Sequence, residues 1–76
     1  MKKIEIYKKD KWNMMHAEVQ GRHIVVREIS EQWGEESRTF ESRPEMMHWV
    51  GQRFAEGQFQ GDEQERQDII QAFKQV

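Results

Sequence analysis

The sequence predicts an α+β fold of order ββββαα, a four-stranded antiparallel β-meander over residues 1–41 followed by two helices over residues 42–76, all in one domain. Three observations carry this. From Ile4 to Phe40 apolar residues alternate with polar ones, the two-residue period of strands that bury one face. Beyond Ser42 the apolar residues return every three or four positions, the period of a helix with a buried stripe. Ser42/Glu45 and Asp62/Glu65 stand at capping-box spacing ahead of those stripes.

In the first strand Ile4 and Ile6 alternate with Glu5 and Tyr7. A tight turn at Lys9-Asp10 pairs Tyr7 with Trp12, Glu5 with Met14 and Ile4 with Met15. The second strand carries Met15, Ala17 and Val19 on the same period. A turn at Gln20-Gly21, where Gly21 is free to take positive φ, pairs Val19 with Arg22, Ala17 with Ile24 and Met15 with Val26. The third connection, Gln32-Trp33-Gly34, suits a type I turn followed by a left-handed residue. It sets Phe40 opposite Val26 and Arg38 opposite Glu28 as a cross-strand ion pair. Ile4, Ile6, Met15, Ala17, Val19, Ile24 and Val26 then share one face, as a one-sided core requires.

Ser42 caps the first helix and Pro44 is accommodated in its first turn. Met46, Met47, Val50 and Phe54 form its stripe, Gly57 ends it, and Trp49 lies off the stripe beside Met46 and Arg53, where packing is its expected role. After Gln58-Phe59-Gln60-Gly61, Asp62 caps a second helix whose stripe is Ile69, Phe73 and Val76, with Ile70 beside it. At least the first helix is expected to cover the Ile4/Ala17/Val26 face, because an open sheet needs such a cover.

Size and composition limit the function. A chain of 76 residues buries too little surface for both a core and a deep pocket. Cysteine is absent, which excludes disulfides, thiolate zinc sites and thiol catalysis and favours an intracellular setting. No apolar run approaches membrane-spanning length, and Met1-Lys2-Lys3-Ile4-Glu5-Ile6 lacks the apolar stretch of a signal peptide, so a cytoplasmic location is expected. No Gly-rich phosphate loop is present, and Ser30, Ser37 and Ser42 have no motif that exposes a nucleophile. His16, His23 and His48 lack metal-ligand spacing, and His23 beside Glu18 reads as a cross-strand pair. The protein is therefore expected to be no enzyme, with no cofactor, metal or small-molecule substrate.

The opposite sheet face is the informative one. The predicted register places Glu5, Tyr7, Trp12, Met14, His16, Glu18, His23, Val25 and Arg27 there. A solvated face rarely holds so many aromatic and apolar groups, and Met, aromatic residues and Arg are what protein interfaces concentrate. Tyr7, Trp12, Met14, Val25 and Arg27 are accordingly the candidate surface for a protein partner or for a second copy in a homodimer. Packing within the hairpin, or cover by the second helix, would account for the same residues.

Charge suggests the alternative. Net charge is −2, yet residues 1–11 hold five Lys against Glu5 and Asp10. Lys8, Lys9 and Lys11 beside Trp12 and Tyr7 would suit single-stranded nucleic acid, whose bases stack on aromatic rings above a basic groove. Glu5 and Glu18 on that face oppose phosphates, and lysines also guard exposed sheet edges.

The stretch Gln32-Trp33-Gly34 … Thr39-Phe40-Glu41-Ser42, followed by a helix, resembles the strand–Trp-Gly–strand–Phe–helix layout of WGR domains, small modules of nucleic-acid transactions. The likeness covers about half the chain. Glu35 stands where that family has Arg, so no DNA-contacting residue carries over. The meander-then-helix order is also similar to that of Whirly-like and coactivator-type single-strand binders, in layout alone.

Overall fold

A computed structural model describes residues 2–55, 57, 59 and 61–76. Its elements are β1 (Lys2–Asp10), β2 (Asn13–Gln20), β3 (His23–Ser30), β4 (Gly34–Phe40), α1 (Arg43–Arg53) and α2 (Glu63–Lys74). The strands form one antiparallel sheet in sequence order, and both helices pack on the same face. The predicted ββββαα meander is the observed fold.

Each hairpin register differs from expectation, and the size of the difference decides its consequence. Between β2 and β3 the turn is Gly21-Arg22, flanked by Gln20 and His23. Gly21 has φ 62° while Arg22 does not have positive φ, the pattern of a type II′ turn. Ala17 therefore faces Val26 and Val19 faces Ile24. Between β3 and β4 the loop is Glu31-Gln32-Trp33, with Gly34 at φ 79° closing it. Phe40 then meets Ile24, and Arg38 meets Val26. Both shifts are by two positions, so every side chain keeps its predicted face. The predicted Arg38–Glu28 pair is replaced: Arg38 bonds Glu36 along its own strand at 3.1 Å, and Glu28 accepts from Arg53 of α1 at 2.9 Å.

The first hairpin differs in kind. Its turn is Lys11-Trp12, held by Asp10, whose carboxylate accepts from the Trp12 backbone N–H at 2.7 Å and from the Asn13 amide at 3.2 Å. Moving the turn outward leaves β1 two residues longer than the stretch of β2 it pairs with, and β1 absorbs them as bulges at Ile6 and Lys9. At the first bulge Ile6 and Tyr7 together oppose Met15. Both turn toward the helices: Ile6 is buried and Tyr7 packs against the core. Tyr7 is thus removed from the outer face predicted for it, and Trp12 lies in the turn rather than opposite Tyr7.

The helices begin where the capping residues foretell. Ser42 Oγ accepts from the Glu45 N–H at 3.3 Å, and Asp62 Oδ1 from the Glu65 N–H at 2.7 Å. Ser42→Ala should cost about 1 kcal/mol. For a domain this small, calorimetry should register a fall of roughly 4–8 °C in Tm. An unchanged Tm would mean that the hydroxyl contributes nothing to the first turn.

Helix α1 stops at Arg53, earlier than predicted, with the Phe54 N–H returning to the Val50 carbonyl at 3.0 Å. Gly57, at φ 93°, lies in the connection beyond it. Of the predicted linker Gln58-Phe59-Gln60-Gly61, Gln58 and Gln60 lie outside the described residues. The core joins Met15, Ala17 and Val26 of the sheet to Met46, Val50 and Phe54 from the α1 side and to Ile69 and Phe73 of α2. Trp49 is half-buried and does pack: its ring lies 5.5 Å from Phe40 and 6.2 Å from both Phe54 and Phe73, with the Arg38 guanidinium 5.6 Å away.

Candidate interaction surface

Since both helices occupy one face, no element among the described residues packs over the other. The observed pairings order that outer face into three rows running from β1 to β4. They are Lys3–Glu18–Val25–Thr39, Glu5–His16–Arg27–Ser37 and Lys8–Met14–Ile29–Glu35. The four central apolar or ring-bearing groups, Met14, His16, Val25 and Ile29, are half-buried by their neighbours, and Arg27 is exposed.

Of the predicted surface, Met14, Val25 and Arg27 share this face. Met14 and Ile29 are direct cross-strand partners and make the one contiguous apolar pair of this face among the described residues, with Val25 two rows away across Arg27. Ile29 was missed by the sequence reading, although it continues the His23, Val25, Arg27 alternation by one step. Tyr7 is on the other side. Trp12 and Trp33 are 60% and 79% exposed, the two large apolar side chains left in solvent among the described residues. In a meander the β1–β2 and β3–β4 connections fall at the same end of the sheet. These two tryptophans therefore sit at adjacent hairpin tips, next to the Met14–Ile29 row. The Glu31 N–H, donating to Asn13 Oδ1 at 3.4 Å, ties one tip to the other hairpin.

Electrostatics of the outer face centre on Glu18. Gln20 donates to its carboxylate at 2.8 Å, and that bond, aided by Arg27, His16 and Lys3, holds its pKa below the ordinary range. His16 Nε2 lies 3.2 Å from Glu18 Oε1 but off the line of a hydrogen bond, so this enclosed nitrogen has no aligned partner among the described residues. The histidine next to Glu18 is thus His16 of its own strand. His23, predicted for that place, sits at the end of β3 opposite Gln20. Among the described residues no group of three or more His, Asp or Glu could hold a metal ion.

The lysines of the basic segment are divided by the bulges. Lys8 stays on the outer face, opposite Met14. Lys9 reaches Glu65 of α2 at 3.1 Å on the helix side, and Lys11 lies 5.4 Å from the Trp12 ring at the tip.

On the helix side a cleft of about 110 Å³ is bounded by Tyr7, Lys9, Asn13, Arg53, Phe59 and Glu65. Small-molecule pockets span roughly 300–1,000 Å³, so this one is too small to hold a typical substrate. Its charges are matched internally, Lys9 with Glu65 and Arg53 with Glu28. The Tyr7 hydroxyl lies 3.4 Å from Glu28 Oε2, and its pKa is pushed from 10.0 to about 12, by burial first and by the Glu28 carboxylate second, with Arg53 pulling the other way.

Because the folded pKa exceeds the unfolded one, the stability linked to Tyr7 is intact below pH 10.0 and drains as pH climbs toward about 12. The chain has a single tyrosine, so an ultraviolet absorbance titration reads it alone. The expected midpoint is near 12, or earlier with simultaneous unfolding. A folded protein titrating near 10.0 would return Tyr7 to solvent.

Comparison with protein-family models, with curated proteins and with solved structures finds no match, so the WGR-like layout has no family match to support it. No helix among the described residues is long and apolar enough to cross a membrane.

Proposed function

We propose that this is a non-catalytic binding module that docks a protein partner on its outer sheet face. One observation carries the reading: a complete face, with Met14, Val25 and Ile29 among its groups and two exposed tryptophans at its end, is left without intramolecular cover among the described residues. Arg27 at its centre and Trp12 at its rim are the residue types that anchor protein interfaces. A cytoplasmic setting belongs to the same proposal and rests on the cysteine-free sequence.

Against single-stranded nucleic acid as the ligand weighs the division of Lys8, Lys9 and Lys11 among two faces and a tip, with Lys9 already engaged by Glu65. Phosphate binding would also fall steeply with salt, whereas an apolar protein contact changes little.

A photo-crosslinking side chain at Ser37 or Arg27, on the outer face, should give protein adducts in cell extract. The same group at Gln71, an exposed position of α2, should give none. Equal adducts at all three positions, or none at the two sheet positions, would reject the outer face as a docking surface.

A further inference from the structure

If the outer face is a docking surface, as proposed above, its occupant can be specified by chemistry. We infer that the occupant is a second copy of this chain, packed face to face about a two-fold axis that runs parallel to the strands. Charge complementarity along the Lys8–Met14–Ile29–Glu35 row, and the avoidance of like charges in the other two, select both the partner and the axis.

For two copies whose strands run alongside one another, a two-fold axis lying in the interface runs either across the strands or along them. An axis across the strands sets each strand against itself and exchanges the end rows. Lys3 then meets the second copy's Lys8, Glu5 meets Glu5 and Arg27 meets Arg27, so like charges oppose one another at most of the charged positions. An axis along the strands keeps each row at its own level and reverses it. β1 faces the second copy's β4, and β2 faces its β3.

The row Lys8–Met14–Ile29–Glu35 is then its own complement. Lys8 meets the second copy's Glu35, Met14 meets Ile29, and the two-fold repeats both contacts. In the remaining rows Glu5 faces Ser37, His16 faces Arg27, Lys3 faces Thr39 and Glu18 faces Val25, with no charge set directly against a like one. The same axis gathers the four tryptophan-bearing hairpin tips, two from each copy, at one end. Trp12 of each copy comes to the side where the other presents Trp33, which gives the two exposed rings an apolar neighbourhood beside the Met14–Ile29 contacts.

Four strands at ~4.8 Å and seven residues at ~3.3 Å give a plan of roughly 19 by 23 Å per copy. That falls below the standard size of specific interfaces, in the range of weak and transient contacts, so a weak dimer is expected.

Sedimentation equilibrium from low micromolar to millimolar protein tests the inference. The wild type should dimerise. Lys8 and Glu35 are exposed on opposite sheet edges, three strands apart, so they do not touch within one chain. Lys8→Glu and Glu35→Lys should each weaken the dimer about tenfold, a change of ~1.4 kcal/mol. The doubly exchanged chain should return to within about threefold of wild type. Ile29→Lys should abolish the dimer, and thermal melts of every variant confirm that the monomer folds.

A wild type that stays monomeric at millimolar concentration overturns the second copy as occupant. If the outer-face crosslinks then report a different protein, the docking surface itself survives. A dimer indifferent to Lys8 and Glu35, or weakened by each change without recovery in the double exchange, overturns the stated axis.

Discussion

Phe73→Ala is expected to bring the folded domain close to its limit. Phe73 is fully buried, with ring centroids 5.9 Å from Phe54 and 6.2 Å from Trp49, at the centre of the aromatic group that joins α2 to the rest. Removing a buried phenyl ring costs about 3–5 kcal/mol, since its contacts are lost and a cavity remains. A domain of this length has roughly 4–11 kcal/mol of stability in total. A circular-dichroism melt should therefore show a fall of roughly 12–40 °C, or no folded baseline at all. A fall below about 5 °C would contradict the enclosure of this ring and the docking of α2 through it.

The second large effect contrasts neighbours in sequence. Met15 is fully buried opposite Ile6 and Tyr7, whereas Met14 is half-buried on the outer face opposite Lys8. Met15→Ala should cost about 2–5 kcal/mol, and Met14→Ala less than about 1 kcal/mol because only part of its surface leaves water. Denaturant titration of the two variants gives the comparison directly. Equal losses would mean that the sheet buries both faces, and the outer face would cease to be a docking surface.

The contrast also indicates what could be read in advance. The buried identities of Ala17, Ile24 and Val26 follow from alternation, and alternation is indifferent to a register error of two. The second and third hairpins were each displaced by that amount without consequence for either face. Helix starts were equally legible, because Ser42 and Asp62 announce themselves through a local hydrogen bond three residues long. Tyr7 was misplaced because a bulge breaks the parity on which alternation depends. Its cause, Asp10 turning back on Trp12 and Asn13, competes with a turn of similar residue preference just before it in the chain. The arginine contacts were illegible for a related reason. Arg53 reaches Glu28 from a helix whose position over the sheet is set by packing, and no spacing within the chain encodes that distance.

The order of the strands has a kinetic consequence. Each strand pairs with its neighbour in sequence, so the hairpins close short loops and form early. The far longer closure brings α2 back to β1, where Lys2 donates to the Gln75 carbonyl at 2.7 Å and Lys9 meets Glu65. During synthesis the strands precede the residues that shield their apolar side, which are added at roughly 5–20 per second. For that interval any sheet the strands form has two free edges and an uncovered apolar side. Its edges are guarded meanwhile by lysines and two bulges in β1, and by an exposed β4 that carries Glu35, Glu36 and Arg38. The same charges that make contacts in the finished protein disfavour pairing with other chains while it is unfinished.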